Sequence, residues 1–257
     1  MRNYLRAEFY KVVRRKYLWI TLAVALGMET FLFVGYALFH GDQAGMGFHT
    51  GWTNLIGLLS LGIPAILLTG DMVFANQNKN GTLKNELSYG LSRGKVYWGK
   101  LLAQTGLSLL LCGVMLGYYL AGCWLLLSHD PVLDAWAMAQ VGWTLLAALP
   151  LWLSAQALCC CMYFLLPSDL TGGMTALACL YGLPLMALIF GGLGGGNPIS
   201  GLLEWAYRLM PVTMLEQVIN QRVGSGLTLA LTWGTGAAWW GGWTALGLLG
   251  FRHKEIR

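Results

Sequence analysis

Side chains able to do chemistry are few in this sequence, and they are scattered. The four histidines, 40, 49, 129 and 253, fall in or beside different loops and share no metal-ligand spacing. The six cysteines, 112, 123, 159, 160, 161 and 179, all lie inside apolar runs. Cys159, Cys160 and Cys161 point in three directions around a helix, so they cannot share one ion, and they read as small buried hydrophobes. There is no GxxxxGK[ST] nucleotide loop, no HExxH and no GxSxG elbow. These absences argue against an enzyme and against a cofactor or metal held by this chain. One carboxylate, Glu29, sits midway along an apolar run. A charge at that depth costs several kcal/mol unless it is protonated, paired or facing a polar cavity. Glu29 reads either as a substrate-pathway or subunit-interface residue or as a protonated packing residue.

The longest polar interruption between apolar runs is 71–102, DMVFANQNKNGTLKNELSYGLSRGKVYWGKLL. Lys79, Lys84, Arg93, Lys95 and Lys100 stand there against Asp71 and Glu86. Its centre, Gly81, Thr82, Leu83, Lys84, Asn85, Glu86, Leu87 and Ser88, predicts a short amphipathic helix with Thr82 as its cap. Leu83 and Leu87 share one face, flanked by Lys84 and Glu86, and read as the apolar anchor by which the helix enters a cleft on a soluble partner. Gly90 is placed to end this helix in a left-handed conformation, and Ser92 to cap the next. A small surface helix slung between two long apolar helices is suited to carry a push from a soluble partner into the membrane.

The surrounding elements set that stretch in a bilayer. Of 257 residues, 56% are hydrophobic and only 11% are charged, with a mean hydropathy of +0.58. A soluble domain carries about 25% charged residues, so most of this chain is expected in lipid. Six all-α spans are predicted at 18–39, 52–74, 101–127, 136–166, 170–193 and 227–251, forming a single transmembrane domain over 1–257. Pro64, Pro150 and Pro184 fall inside spans, and Gly113 and Gly117 form a GxxxG helix-contact signal. The twelve tryptophans and eleven tyrosines suit interfacial belts.

Residues 1–17 are basic and amphipathic, with Tyr4, Leu5, Phe9, Val12 and Val13 roughly on one face. Such a helix lies flat on an anionic inner leaflet, so membrane lipids are expected partners. Ser128–Asp134 reads as an acidic outside turn. Region 194–226 reads as two short outside helices split by Pro211, the second opened by a Thr213-x-x-Glu216 capping box. With the N-terminus inside, fourteen of the sixteen Lys and Arg are cytosolic, leaving Arg208 and Arg222 outside. That asymmetry satisfies the positive-inside rule and puts both termini in the cytosol. The net charge of +5 is therefore a topology signal, and nucleic acid is not an expected partner.

Gly81-Thr82-Leu83-Lys84, then Ser92-Arg93, then Gly99-Lys100 before an apolar run resembles the cytosolic coupling segment of ABC type-2 permeases. These are the membrane subunits of type V ABC exporters. The acidic residue usual before GTLK is replaced here by the Gln77-Asn78 region, and the usual Pro before SR by Gly90. The resemblance implies an elbow helix over 1–17, often with a Glu and a Lys like Glu8 and Lys11, and a coupling segment over 76–100. It also implies a bacterial plasma-membrane permease paired with a second permease chain. Two ATP-binding subunits would hold the ATP and Mg. The implied ATPase-coupling residues are Gly81 through Ser88 together with Ser92 and Arg93. Compact permeases of this kind include those resembling bacteriocin-immunity and peptide-antibiotic resistance exporters, so the expected cargo is an amphipathic peptide, antibiotic or lipid-like compound. Two other classes stay open: an ion-gradient-driven secondary transporter using Glu29, and a membrane anchor or sensor for a soluble partner.

Overall fold

The structure, a computed structural model, describes residues 2–40, 47–74, 82–193, 198–220 and 226–254. The described residues form helices and no strand. In chain order they are α1 (Arg2–Val13), α2 (Lys16–His40), α3 (Phe48–Leu58), a 3₁₀ turn (Leu59–Leu61) and α4 (Gly62–Phe74). Then come α5 (Thr82–Ser88), α6 (Arg93–Leu126), α7 (Pro131–Leu165) and α8 (Asp169–Leu177). A π turn (Ala178–Gly182) leads to α9 (Leu183–Leu193), α10 (Pro198–Arg208), α11 (Pro211–Ile219) and α12 (Gly226–His253).

Five stretches among the described residues are long and apolar enough to cross a membrane: Lys16–Leu38, Phe48–Phe74, Arg93–Leu126, Pro131–Leu165 and Asp169–Gly191. They match the first five predicted spans. The predicted sixth, 227–251, falls on α12, which has the length at 28 residues. It is not among the five, because its many glycines and threonines and its four tryptophans dilute its hydropathy. The 3₁₀ turn precedes Pro64 and the π turn precedes Pro184, where the missing proline N–H and its ring disturb the helical ladder. α7 continues through Pro150, whose backbone lies against Gly236 of α12.

Local signals set several boundaries as expected. Ser92 Oγ accepts from Lys95 N at 3.4 Å and opens α6. Of Ser168 and Asp169, the two candidate caps that follow Pro167 in the sequence, Ser168 caps α8, in a reciprocal box with Thr171. Gly90 has φ +83°, the left-handed turn that favours glycine. Two expectations are corrected. The outside turn is shorter than 128–134, because Asp130 Oδ1 accepts from Val132 N and Leu133 N and Pro131 takes the first helical position. The second short helix starts at Pro211, not at a Thr213 cap. Its cap residue Met210 makes no side-chain bond, and the Thr213 hydroxyl instead donates back to the Met210 and Tyr207 carbonyls. Residues 41–46 of the outside loop expected over 41–51, and 194–197 and 221–225 of the outer region 194–226, lie outside the described residues.

α7 is the central helix. α12 lies along much of its length, and α3, α4, α8 and α11 cover other faces. Cys159, Cys160 and Cys161 are therefore all buried in different directions. Cys112, by contrast, is exposed and Cys179 only half-buried. Among the described residues, Gly113 and Gly117 meet no neighbouring side chain and make no helix contact. One core gathers around α4, α6, α7 and α12. A second, aromatic core forms around Phe33, Phe48, Trp52, Tyr119 and Cys123.

Candidate functional site

The site is built where α1 crosses α6. Two glycines on α6, Gly99 and Gly106, are two helical turns apart. A Cβ on Gly99 would sit 2.3 Å from the Tyr4 ring, and one on Gly106 would sit 2.9 Å from the Phe9 ring. Bare Cα atoms thus let α1 lie directly on α6. Val12 is buried in the main core, while Val13 stays exposed. The apolar face of α1 therefore turns into the protein rather than into the inner leaflet, which corrects the expected orientation. Arg2, Arg6, Arg14 and Lys16 remain exposed on the outer side.

Beneath that crossing lies an ionic cluster. Lys100 is 0% exposed, and its Nζ lies 3.3 Å from Glu8 Oε1 of α1 and 3.8 Å from Glu86 Oε1 of α5. Lys11 Nζ is 3.6 Å from Glu8 Oε2. The Tyr4 hydroxyl donates to Glu86 Oε2 at 2.8 Å. Lys100 Nζ also sits 5.6 Å from the centre of the Phe74 ring at the end of α4. Burial, and then the nearby Glu8 and Glu86 charges, push the Tyr4 hydroxyl up, so it stays a donor. Burial, then the nearby Lys100 charge, brings Lys11 down from the usual lysine range. Two cations and two carboxylates offset one another here, so no charge is buried unpaired. One cluster thereby joins α1, α5 and α6.

α5 hangs on this cluster through Glu86 and on the core through its leucines. Leu83 is buried and belongs to the main core, and Leu87 packs half-buried against it. These leucines fasten the helix to its own chain, so they are not the outward anchor their shared face suggested. The seven-residue helix is too short to hold its fold without that contact. Lys84 and Ser88 face outward, and next to them Tyr89 is 88% exposed. Gly81 and the side chains of Thr82 and Asn85 lie outside the described residues, so the expected Thr82 cap does too.

Arg93 holds the far end of the chain at the same pole. Its Nη1 donates to the carbonyls of Phe251, Arg252 and Lys254 at 2.7, 2.8 and 2.7 Å, satisfying the open end of α12. Lys254 Nζ donates in turn to the carbonyls of Phe164 and Leu166 at the end of α7. Burial lowers its pKa. Ser92 and Arg93 thus have separate structural duties: one caps α6, the other ties α12 to it.

Glu29 is placed far from this cluster. It is 9% exposed, and its Oε2 has no hydrogen-bond partner among the described residues. The neighbouring Thr30 hydroxyl pairs with the Tyr118 hydroxyl of α6 at 2.7 Å. A further buried polar chain, Gln156 to Ser108 to Thr69, links α7, α6 and α4. Sequence reasoning missed that chain and missed Tyr89. A large aromatic in a polar turn was the available signal for Tyr89, since no apolar run explains it.

An all-helical chain with five membrane-length apolar stretches and a charged, ion-paired pole is a multi-pass membrane protein. A family model for ABC-2 family transporter proteins matches residues 4–184, and the chain belongs to that family. It is therefore a membrane component of an ABC transporter, a class that works with a separate ATP-binding subunit. The matched region runs from α1 into α9 and contains every member of the ionic cluster. No curated protein matches the chain.

Proposed function

We propose that this chain is the permease subunit of an ATP-driven exporter of the type V kind, with α1 as elbow helix and α5 as coupling helix. The observation that carries this reading is the Glu8–Lys100–Glu86 cluster. A displacement of α5 by a docked partner reaches α6 and α1 directly through Lys100, with no solvent gap to absorb it. The outward edge Lys84, Ser88 and Tyr89 supplies the docking surface: an aromatic for a cleft and a charge to set orientation.

In this reading α12 is the sixth span, both termini are cytosolic, and the membrane is a bacterial plasma membrane. Two permease chains pair over two ATPase subunits, which hold the ATP and Mg. The cargo is an amphipathic peptide, antibiotic or lipid-like compound moved outward. The test is co-purification of the permease with its ATPase, together with transport-stimulated ATP hydrolysis. Tyr89→Ala with Lys84→Ala should lose both while the permease alone stays folded. Full ATPase recovery from that variant overturns the assignment of the docking edge.

One observation favours a second reading. The buried Glu29 Oε2, without a partner among the described residues, suits a proton-driven transporter or a pathway residue. Glu29→Gln separates the readings: transport lost without ATP dependence favours the proton route, and unchanged transport across pH leaves a packing role.

A further inference from the structure

At the pole opposite the ionic cluster, the turn between α6 and α7 closes on His129. Its Nδ1 lies 2.9 Å from Asp134 Oδ2, and its Nε2 lies 2.9 Å from the Trp124 carbonyl oxygen. Both partners are acceptors: a carbonyl oxygen has no proton, and an ionised carboxylate has none either. A neutral imidazole has one N–H and can satisfy only one of them. The ring also lies tilted against the Trp124 and Phe48 rings, with centroids 4.4 and 5.6 Å away, and aromatic rings this close favour a cation.

We propose that His129 is held as an imidazolium and works as a pH-sensitive clasp joining the ends of α6, α7 and α3. The third helix is engaged through the same turn: Phe48 N donates to the Ser128 carbonyl at 2.8 Å, and Gly47 approaches that oxygen so closely that a Cβ there would lie 2.6 Å away. The titratable groups near this turn are Asp130 and Asp134 from α7 and its cap, His49 from α3, and Tyr118, Tyr119 and Cys123 from the outer turns of α6. Asp130 is engaged with the Val132 and Leu133 amides. Asp134 is buried and holds the ring through one oxygen while its Oδ1 has no partner among the described residues. No lysine or arginine stands among the described residues of α3, of the outer turns of α6 or of α7 to oppose the ring's charge.

The direction of the switch follows from linkage. The Asp134 hydrogen bond first, and the Trp124 carbonyl second, raise the ring's pKa above its ordinary value near 6.5. A group raised on folding contributes fully below its ordinary value, and that contribution is lost as pH rises through the higher folded value. The clasp is therefore closed in acid and opens toward alkaline pH, when one of the two bonds must break. On the orientation proposed above, the pH sensed is that outside the cell; the protonation state itself does not depend on that orientation.

The experiment is nitrogen NMR of the full chain in lipid nanodiscs with ¹⁵N-labelled histidine, the His129 signals assigned by their loss in His129→Gln. Both ring nitrogens should be protonated at pH 6.5, with a titration midpoint above the ordinary value. Asp134→Asn should bring that midpoint down toward it. A thermal melting series should show wild type losing Tm as pH rises through the midpoint, and His129→Gln showing no such step. A single neutral tautomer in wild type at pH 6, or equal pH slopes in wild type and His129→Gln, overturns the clasp. The wild-type spectrum decides the matter even where Asp134→Asn does not fold.

Discussion

The Tyr4 ring lies on the bare Cα of Gly99, so close that a methyl group there would sit 2.3 Å from it. That contact seats α1 on α6 and brings Glu8 to Lys100, one residue along from Gly99. The paired Gly-Lys of the sequence thus has one structural meaning: the glycine admits the elbow helix and the lysine charges the contact.

Gly99→Ala should therefore displace α1 and lower stability by about 1–3 kcal/mol, the usual cost of overpacking. The same change in a Tyr4→Ala background should cost much less, because the ring it strikes is gone. A double-mutant cycle on detergent-solubilised protein checks this. Additive effects would mean the two residues do not meet.

Lys100→Met leaves the buried Glu8 and the partly buried Glu86 short of a counter-charge. Breaking one side of such a buried pair costs about 3–5 kcal/mol. Adding Glu8→Gln removes the stranded charge and should recover much of that stability. Coupling of ATP hydrolysis to transport should not recover, since the Lys100 link from α5 and α1 into α6 is still missing and, among the described residues, only the Tyr4–Glu86 bond is left between α5 and α1. Thermal unfolding and transport-stimulated ATPase activity, measured on both variants, separate stability from coupling.

Leu83 and Tyr89 should fail in opposite ways. Leu83→Ser puts a hydroxyl into the core, so it should lower the Tm of the isolated permease. Tyr89→Ala should leave that Tm unchanged. As an aromatic hot spot, Tyr89 should weaken ATPase binding by about 2 kcal/mol, roughly 30-fold. Titration of the ATPase onto permease in nanodiscs gives the binding number. A lowered Tm for Tyr89→Ala, or unaltered binding, would reject the outward edge of α5 as the docking surface.

Reporter fusions test the proposed topology. Those after residues 45, 130 and 210 should read outside, and those after 80, 168 and 257 inside. An outside reading after 210 together with an outside reading after 257 would mean that five spans cross and α12 does not. An outside reading after 80 would separate α5 from any cytosolic ATPase.

The sequence by itself determined what depends on neighbours along the chain. Long apolar runs dictate membrane-length helices, because lipid leaves the backbone no other partner than its own helix. Ser92, Ser168 and Gly90 set helix ends through bonds and dihedrals spanning a few residues, so they were legible. The Thr213 box was misread because Pro211, two positions earlier, starts the helix first. The tertiary structure alone decided which face meets what. Periodicity placed Leu83 and Leu87 on one side of α5 but could not tell the chain's own core from a partner's cleft. It marked the apolar face of α1 without showing that Gly99 and Gly106 would receive it. Lys100 and Glu8 are 92 positions apart, and Arg93 reaches carbonyls 158 to 161 positions away. Such pairs are fixed by how the helices stack around α7, and no spacing within a single helix encodes that arrangement.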